Sequence, residues 1–278
     1  MRTYKGAVRT HFAERTTLGE FLRKLTPLTP IQLGDVAEKG GVWIQRRGKG
    51  RILRIRSLRE TVMPEDVIQV YFDPKVLAFP ALAELAAIYE DANFGVWVKP
   101  AGAVPQGSQA SDHASVLRYV EKVRGAEVFL VHRLDRETRG LMLVAYTAKA
   151  AGALGDLFQK HKIHKEYEAV VLGELPAGSR QTIAAALDDK EAVTHVEVLE
   201  ARSGRSLLRV TIETGRLHQI RRHLDFLGHP VIGDPKYGKG NKNRQGLQLV
   251  ASVLAFTDPW TKELRRFELP EHLSLLQN

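Results

Sequence analysis

The chain has 278 residues, room for one large or two modest domains, and its 44% hydrophobic content excludes a disordered chain. Lysine and arginine number 41 against 32 acids, a formal charge of +9, which points to a polyanionic partner such as RNA. There is no cysteine, so disulfides and cysteine-bound zinc are excluded, and no window is apolar enough to span a bilayer; a cytoplasmic protein is the expectation.

The apolar spacing of Thr17-Leu18-Gly19-Glu20-Phe21-Leu22-Arg23-Lys24-Leu25 predicts a helix capped by Thr16 or Thr17. Pro30 opens a second helix through Leu33 and Val36, and Gly40-Gly41 ends it. Val42-Trp43-Ile44-Gln45 reads as a strand, residues 46–51 as a basic turn and residues 66–71 as a closing strand. Residues 73–80 read as a linker, so domains at 1–74 and 75–278 are expected. A helix is expected over 81–89, a strand over 94–98 and a turn at Lys99-Pro100. A helix follows over 115–123, then a strand over 128–131. Residues 148–161 have the period of an amphipathic helix, and 167–172 read as a strand. Residues 195–199 and 206–212 alternate like paired strands about Ser203-Gly204. A last helix is expected over 217–227, closed by Gly228. Many strands with few helices imply an α+β fold.

The stretch His132-Arg133-Leu134-Asp135-Arg136-Glu137-Thr138-Arg139-Gly140 sets one carboxylate between two arginines, just before an apolar run. Nearby positive charge favours a carboxylate anion, and such a group can act as nucleophile or base. A structural salt bridge on a surface loop would read the same way in isolation.

Those residues resemble the signature of the RluA family of pseudouridine synthases. Three further blocks resemble the family in the same order: Val96-Trp97-Val98-Lys99-Pro100-Ala101-Gly102, Lys165-Glu166-Tyr167-Glu168-Ala169-Val170-Val171, and Thr214-Gly215-Arg216-Leu217-His218-Gln219-Ile220-Arg221-Arg222-His223. The last leads into Gly228-His229-Pro230-Val231-Ile232-Gly233-Asp234-Pro235-Lys236-Tyr237-Gly238, also similar. The blocks lie within about residues 85 to 270. The resemblance implies the pseudouridine synthase core, a mixed, largely antiparallel sheet with a central cleft. Residues 1–74 resemble a diverged S4-like RNA-binding domain, although Ile31-Gln32-Leu33-Gly34-Asp35 stands where that motif carries an arginine-rich helix. A small accessory domain is the competing reading.

Pseudouridine formation breaks the N1–C1′ bond of a uridine, turns the base and rejoins it through C5. It needs no redox step or group donor, so no cofactor is expected. By the resemblance, Asp135 is the carboxylate, which either attacks C1′ or removes a C2′ proton. Arg221 matches the arginine that pairs with it, because a buried carboxylate needs a hydrogen-bonded cation. Tyr167 matches the tyrosine that stacks on the base. Arg133 matches the residue that helps flip the target nucleotide out. Arg136 and Lys165 are candidates for RNA contact, and Lys99, Arg216, His218 and Arg222 for RNA contact or for scaffolding the motifs. His161 and His164 lack an acidic set, and no metal is expected.

The chain departs from the family pattern at Arg139, Leu217, Arg222 and Val250, where serine, threonine or serine, valine and histidine are common. The expected partner is structured RNA, ribosomal or transfer, with a monomer as default. A non-catalytic RNA-binding protein on the same fold is the main alternative, and a nucleoside or glycoside hydrolase with paired carboxylates a weaker one.

Overall fold

The computed structural model describes residues 1–8 and 16–276. In chain order its elements are β1 (Arg2–Ala7), α1 (Leu18–Leu25), α2 (Pro30–Glu38), β2 (Val42–Gln45), β3 (Ile52–Arg54), β4 (Val67–Phe72), α3 (Pro74–Leu77), β5 (Ala87–Glu90) and β6 (Phe94–Lys99). There follow α4 (Val116–Arg124), β7 (Phe129–Leu130), β8 (Arg139–Ala145), α5 (Ala148–Gln159), β9 (His164–Leu172), β10 (Arg180–Ala184), β11 (Val193–Arg202) and β12 (Arg205–Ile212). The last elements are α6 (Gln219–Phe226), β13 (Leu249–Thr257) and β14 (Leu264–Glu268). Among the described residues, no helix is long and apolar enough to cross a membrane.

The chain divides into two compact units, Met1–Ala83 with Gln106–Tyr119, and Glu84–Pro105 with Val120–Asn278. In the first, Thr17 and Thr29 each form a capping box, with Glu20 and Gln32 respectively. These caps satisfy N–H groups at the helix starts that have no partner within the helix. Leu18, Phe21 and Leu22 of α1 and Leu33 and Val36 of α2 pack on Val42, Ile44, Ile68 and Val70 of a four-stranded sheet ordered β1-β4-β2-β3. The basic turn holds a short 3-10 helix, Arg46–Gly48, in which Arg46 pairs with Glu60 at 2.6 Å and Asp66 at 2.7 Å. Arg47 and Lys49 beside it are exposed.

The second unit is built on one sheet ordered β10-β11-β12-β9-β13-β8-β6-β5, with β14 beside β13 and β7 beside β8. The ladders are antiparallel except β13 with β8, as the sequence reading expects for this α+β class. Leu141, Leu143, Phe94, Val250 and Phe256 pack against Ala150 and Leu154 of α5, which covers part of one face.

Local pattern fails at residues 81–89. The expected helix does not form, and Ala87–Glu90 instead adds β5 to the edge of the sheet, with Ala87 opposite Trp97 and Glu90 opposite Gly95. Helix propensity in Ala-rich sequence is a weak prior, and pairing with β6 while Ile88 and Tyr89 join the core outweighs it.

Candidate active site

The site sits on the second unit, where a parallel pair meets an antiparallel one. Gly140 of β8 lies opposite Ala251 of β13, and Ala251 lies opposite Tyr167 of β9. Thus three neighbouring strands bring the loop of residues 132–138 alongside Tyr167. The approach is close enough to require glycine: a Cβ at Gly140 would stand 2.3 Å from the carbonyl oxygen of Ala251, and its φ is +118°.

The loop is clasped at both ends. At its start, Leu143 N–H donates to Nε2 of His132 at 2.9 Å, and the imidazole stacks on Phe158. Nε2 is thereby an acceptor, and burial pushes this imidazole down to about 3, so it stays neutral. At its end, the Arg136 carbonyl accepts from Lys99 Nζ at 3.0 Å and from Gly102 N–H at 2.8 Å. The Lys99 ammonium also donates to the carbonyls of Pro100 and Ala103.

Asp135, at the centre of the loop, faces α6. Arg221 Nη1 donates to its Oδ2 at 3.3 Å and lies 3.6 Å from Glu137. Arg221 is only 1% exposed and makes a two-pronged pair with Asp234, Nε to Oδ2 at 2.7 Å and Nη2 to Oδ1 at 2.8 Å. Burial alone disfavours charge on either partner. Their mutual bonds, with the Lys236 and Tyr237 N–H groups on Asp234, raise the arginine and lower the aspartate all the same. One buried guanidinium thus orients the half-exposed Asp135 while Asp234 fixes the guanidinium.

The start of α6 is held by a buried polar network. Gln219 Nε2 donates to the Val193 carbonyl at 2.9 Å and to Thr194 Oγ1 at 3.0 Å, and its Oε1 accepts from Thr214 Oγ1 and Arg216 N–H. Thr194 also bonds His223 Nδ1 at 2.9 Å. With both sides satisfied, α6 is fixed against β11, and Arg221 with it.

A cavity of about 90 Å³ lies between these parts. Asp135, Thr138, Tyr167, Arg133, His218 and Arg221 are among its walls. Thr138 Oγ1 is buried with no hydrogen-bond partner among the described residues. Tyr167 is buried, and burial plus the nearby Asp135 charge raise its phenol above the ordinary tyrosine range. It is therefore a neutral hydroxyl at physiological pH.

The structure gathers Asp135, Tyr167, Arg221, Arg133, Arg216 and His218 at one cavity. Arg136 is exposed on the same loop, and Arg222 pairs with Asp188 at 2.8 Å and 3.0 Å on the helix surface. Two of the lysines are turned inward, Lys99 as a scaffold of the loop. Lys99 is fully buried on three carbonyls, and Lys165 is buried against those of Glu213 and Thr214, so neither ammonium is presented to an RNA phosphate. Burial lowers them to about 7 and about 8. The sequence reading assigned no role to Asp234, Tyr237 or Gln219, although each lies in a block that it quoted. The signal was present in Gly233-Asp234-Pro235, an acid set in a tight turn after buried Val231 and Ile232.

A model of the RNA pseudouridylate synthase family matches residues 93–226. The chain is 33% identical over 236 residues to ribosomal large subunit pseudouridine synthase D of Xanthomonas campestris, covering 75% of this chain and 68% of that relative. It is 34% identical over 247 residues to the uncharacterized RNA pseudouridine synthase YlyB of Bacillus subtilis, covering 78% and 80%. Among solved structures, human RNA pseudouridylate synthase domain containing 1 superposes with a TM-score of 0.59 at 24% identity, over 70% of this chain and 86% of that one, which supports the fold. The chain belongs to the RluA family of RNA pseudouridine synthases. As a member it is an RNA-modifying isomerase.

Proposed function

We propose that this enzyme isomerises particular uridines of ribosomal RNA to pseudouridine, with Asp135 as the catalytic carboxylate. The observation that carries the reading is the placement of Asp135 against buried Arg221, with Tyr167 in the wall of the same cavity. A flipped uridine entering there would bring its C1′ and C2′ to the carboxylate, and its base to the phenol ring. Arg221 compensates the charge on Oδ2. Arg133, exposed at the rim, is suited to fill the gap left in the RNA stack. Arg136, Arg216 and Arg222 supply phosphate contacts around the opening, Arg222 after exchanging Asp188 for a phosphate. The ribosomal target is favoured over transfer RNA by the name of the Xanthomonas relative, a large-subunit enzyme.

The first unit is proposed as an S4-like RNA-binding module. Its two capped helices on a small antiparallel sheet, with exposed Arg47 and Lys49 at the β2–β3 turn, support that reading.

The direct test is tritium release from ribosomal RNA labelled at uridine C5, since C5 loses its hydrogen only when the new C–C bond forms. Wild type should release tritium, and Asp135→Asn should release none while binding RNA within about threefold of wild type. Binding without release by wild type would overturn the ribosomal assignment and point to a target absent from that RNA or to an RNA-binding role alone.

A further inference from the structure

His218 occupies a position that the Asp135, Tyr167 and Arg221 set does not explain. It stands at the N-cap of α6, with a left-handed φ of +53°. Its side chain is drawn to two partners. Nδ1 lies 3.1 Å from the Tyr237 hydroxyl, and the two rings meet edge to face at 5.7 Å. Nε2 lies 3.9 Å from Oδ2 of Asp135. The Arg221 guanidinium is 5.3 Å from the centre of the same Tyr237 ring.

Electrostatics favours one tautomer of this ring. If Nδ1 carried the proton, the lone pair of Nε2 would face a carboxylate. With the Tyr237 hydroxyl donating to Nδ1, Nε2–H points at Oδ2 instead, which is electrostatically favoured. Arg221 Nη1 approaches the same oxygen at 3.3 Å. Arg221 thus donates to Oδ2, His218 Nε2 stands beside the same oxygen at an electrostatic rather than hydrogen-bonding distance, and Oδ1 is the oxygen left for the nucleoside.

We propose that His218, oriented by Tyr237, is a positioning residue that holds the Asp135 carboxylate through Oδ2 so that Oδ1 meets the ribose. The inference rests on the reading of Asp135 as the catalytic carboxylate. Neutral His218 serves this role. An imidazolium would form an ion pair with Asp135 and oppose the charge changes at the sugar. The groups facing His218 are Asp135 and Glu137 on the loop before β8, Arg221 on its own helix, and Lys236 and Tyr237 on the segment after it. Burial holds the imidazole below its ordinary range despite Asp135, with Arg221 and Lys236 acting in the same direction as burial.

The test is single-turnover tritium release from C5-labelled large-subunit ribosomal RNA between about pH 5 and 8. It uses the full-length wild type, Asp135→Asn, His218→Gln and Tyr237→Phe, with folding checked by circular dichroism. Wild type should lose rate toward acid pH. His218→Gln should be slower by roughly 10-fold or more, with RNA affinity within about twofold, and should lack that acid limb. Tyr237→Phe should keep the limb but shift it to higher pH, because the hydroxyl that favours the neutral ring is gone. Wild-type rate and an unchanged acid limb in His218→Gln would overturn the inference, as would a defect confined to RNA affinity. Release by wild type but not by Asp135→Asn would leave the catalytic reading standing in either case. Equal rates for those two proteins would overturn that reading and this inference together.

Discussion

Asp234 never faces the cavity in the way Asp135 does, yet it decides whether Arg221 can. A guanidinium that is 1% exposed is tolerable only with a fixed countercharge, and Asp234 supplies it through two bonds under 2.9 Å. Replacing Asp234 by asparagine leaves the arginine charge poorly compensated. Unfolding in urea should show a loss of about 3 kcal/mol or more, and tritium release should fall by at least an order of magnitude. The linkage has a definite sign. The folded Asp234 carboxyl lies below the ordinary 3.8, so its stabilising contribution is complete above that value and is lost as pH falls through the lower folded value.

At the scale of elements, the site depends on the clasp that binds the 132–138 loop to β8 and β6. His132 accepts the Leu143 N–H through Nε2, which a protonated ring could not do. Its folded value of about 3 lies well below the ordinary 6.5, so between those values the unfolded chain binds more protons than the folded one. Stability should therefore fall as pH drops from about 6.5 toward 3. His132→Gln, which keeps an acceptor but does not titrate, should flatten that part of the curve when thermal midpoints are compared across pH. A slope unchanged by the substitution would place the acid-sensitive step elsewhere. The α6 end of the site is held in another way, by Gln219 bridging β11 and Thr214, and its network contains no group that must gain a proton on unfolding apart from His223. Burial also lowers that imidazole, so its contribution has the same sign as that of His132.

For the whole molecule, the question is how an enzyme with a net charge of +9 engages RNA. Much of the positive charge is already matched internally: Arg46 by Asp66 and Glu60, Arg209 by Glu197 and Glu166, Arg222 by Asp188. Arg47 and Lys49, exposed at the β2–β3 turn, are the test of the first unit. Changing both to glutamine should weaken RNA binding and lower the slope of log affinity against log salt by about 1 per lost phosphate contact. The rate at saturating RNA should be unchanged. A salt slope equal to wild type would exclude this turn from the RNA interface.

Much of this was legible in the chain. The cap at Thr17, the start of α2 at Pro30, the alternation of β11 and β12 and the apolar run of β8 are local signals, and these elements formed where the sequence put them. Three of the motif blocks contain most of the residues that line the cavity, Asp135, Tyr167 and Arg221 among them. Residues 81–89 form no helix because an edge strand is decided by pairing with its partner β6, which the Ala-rich pattern of the segment itself does not record. The places of Lys99 and Lys165 are not legible in the sequence, because a lysine there carries a charge but not a burial. Only the tertiary structure decided that their ammonium groups face backbone carbonyls, that Asp234 anchors Arg221, and that His218 turns toward Asp135. Composition and periodicity fix what each segment can become, whereas contacts between residues as far apart as 135 and 221 exist only after β8, β9 and β13 have been set side by side.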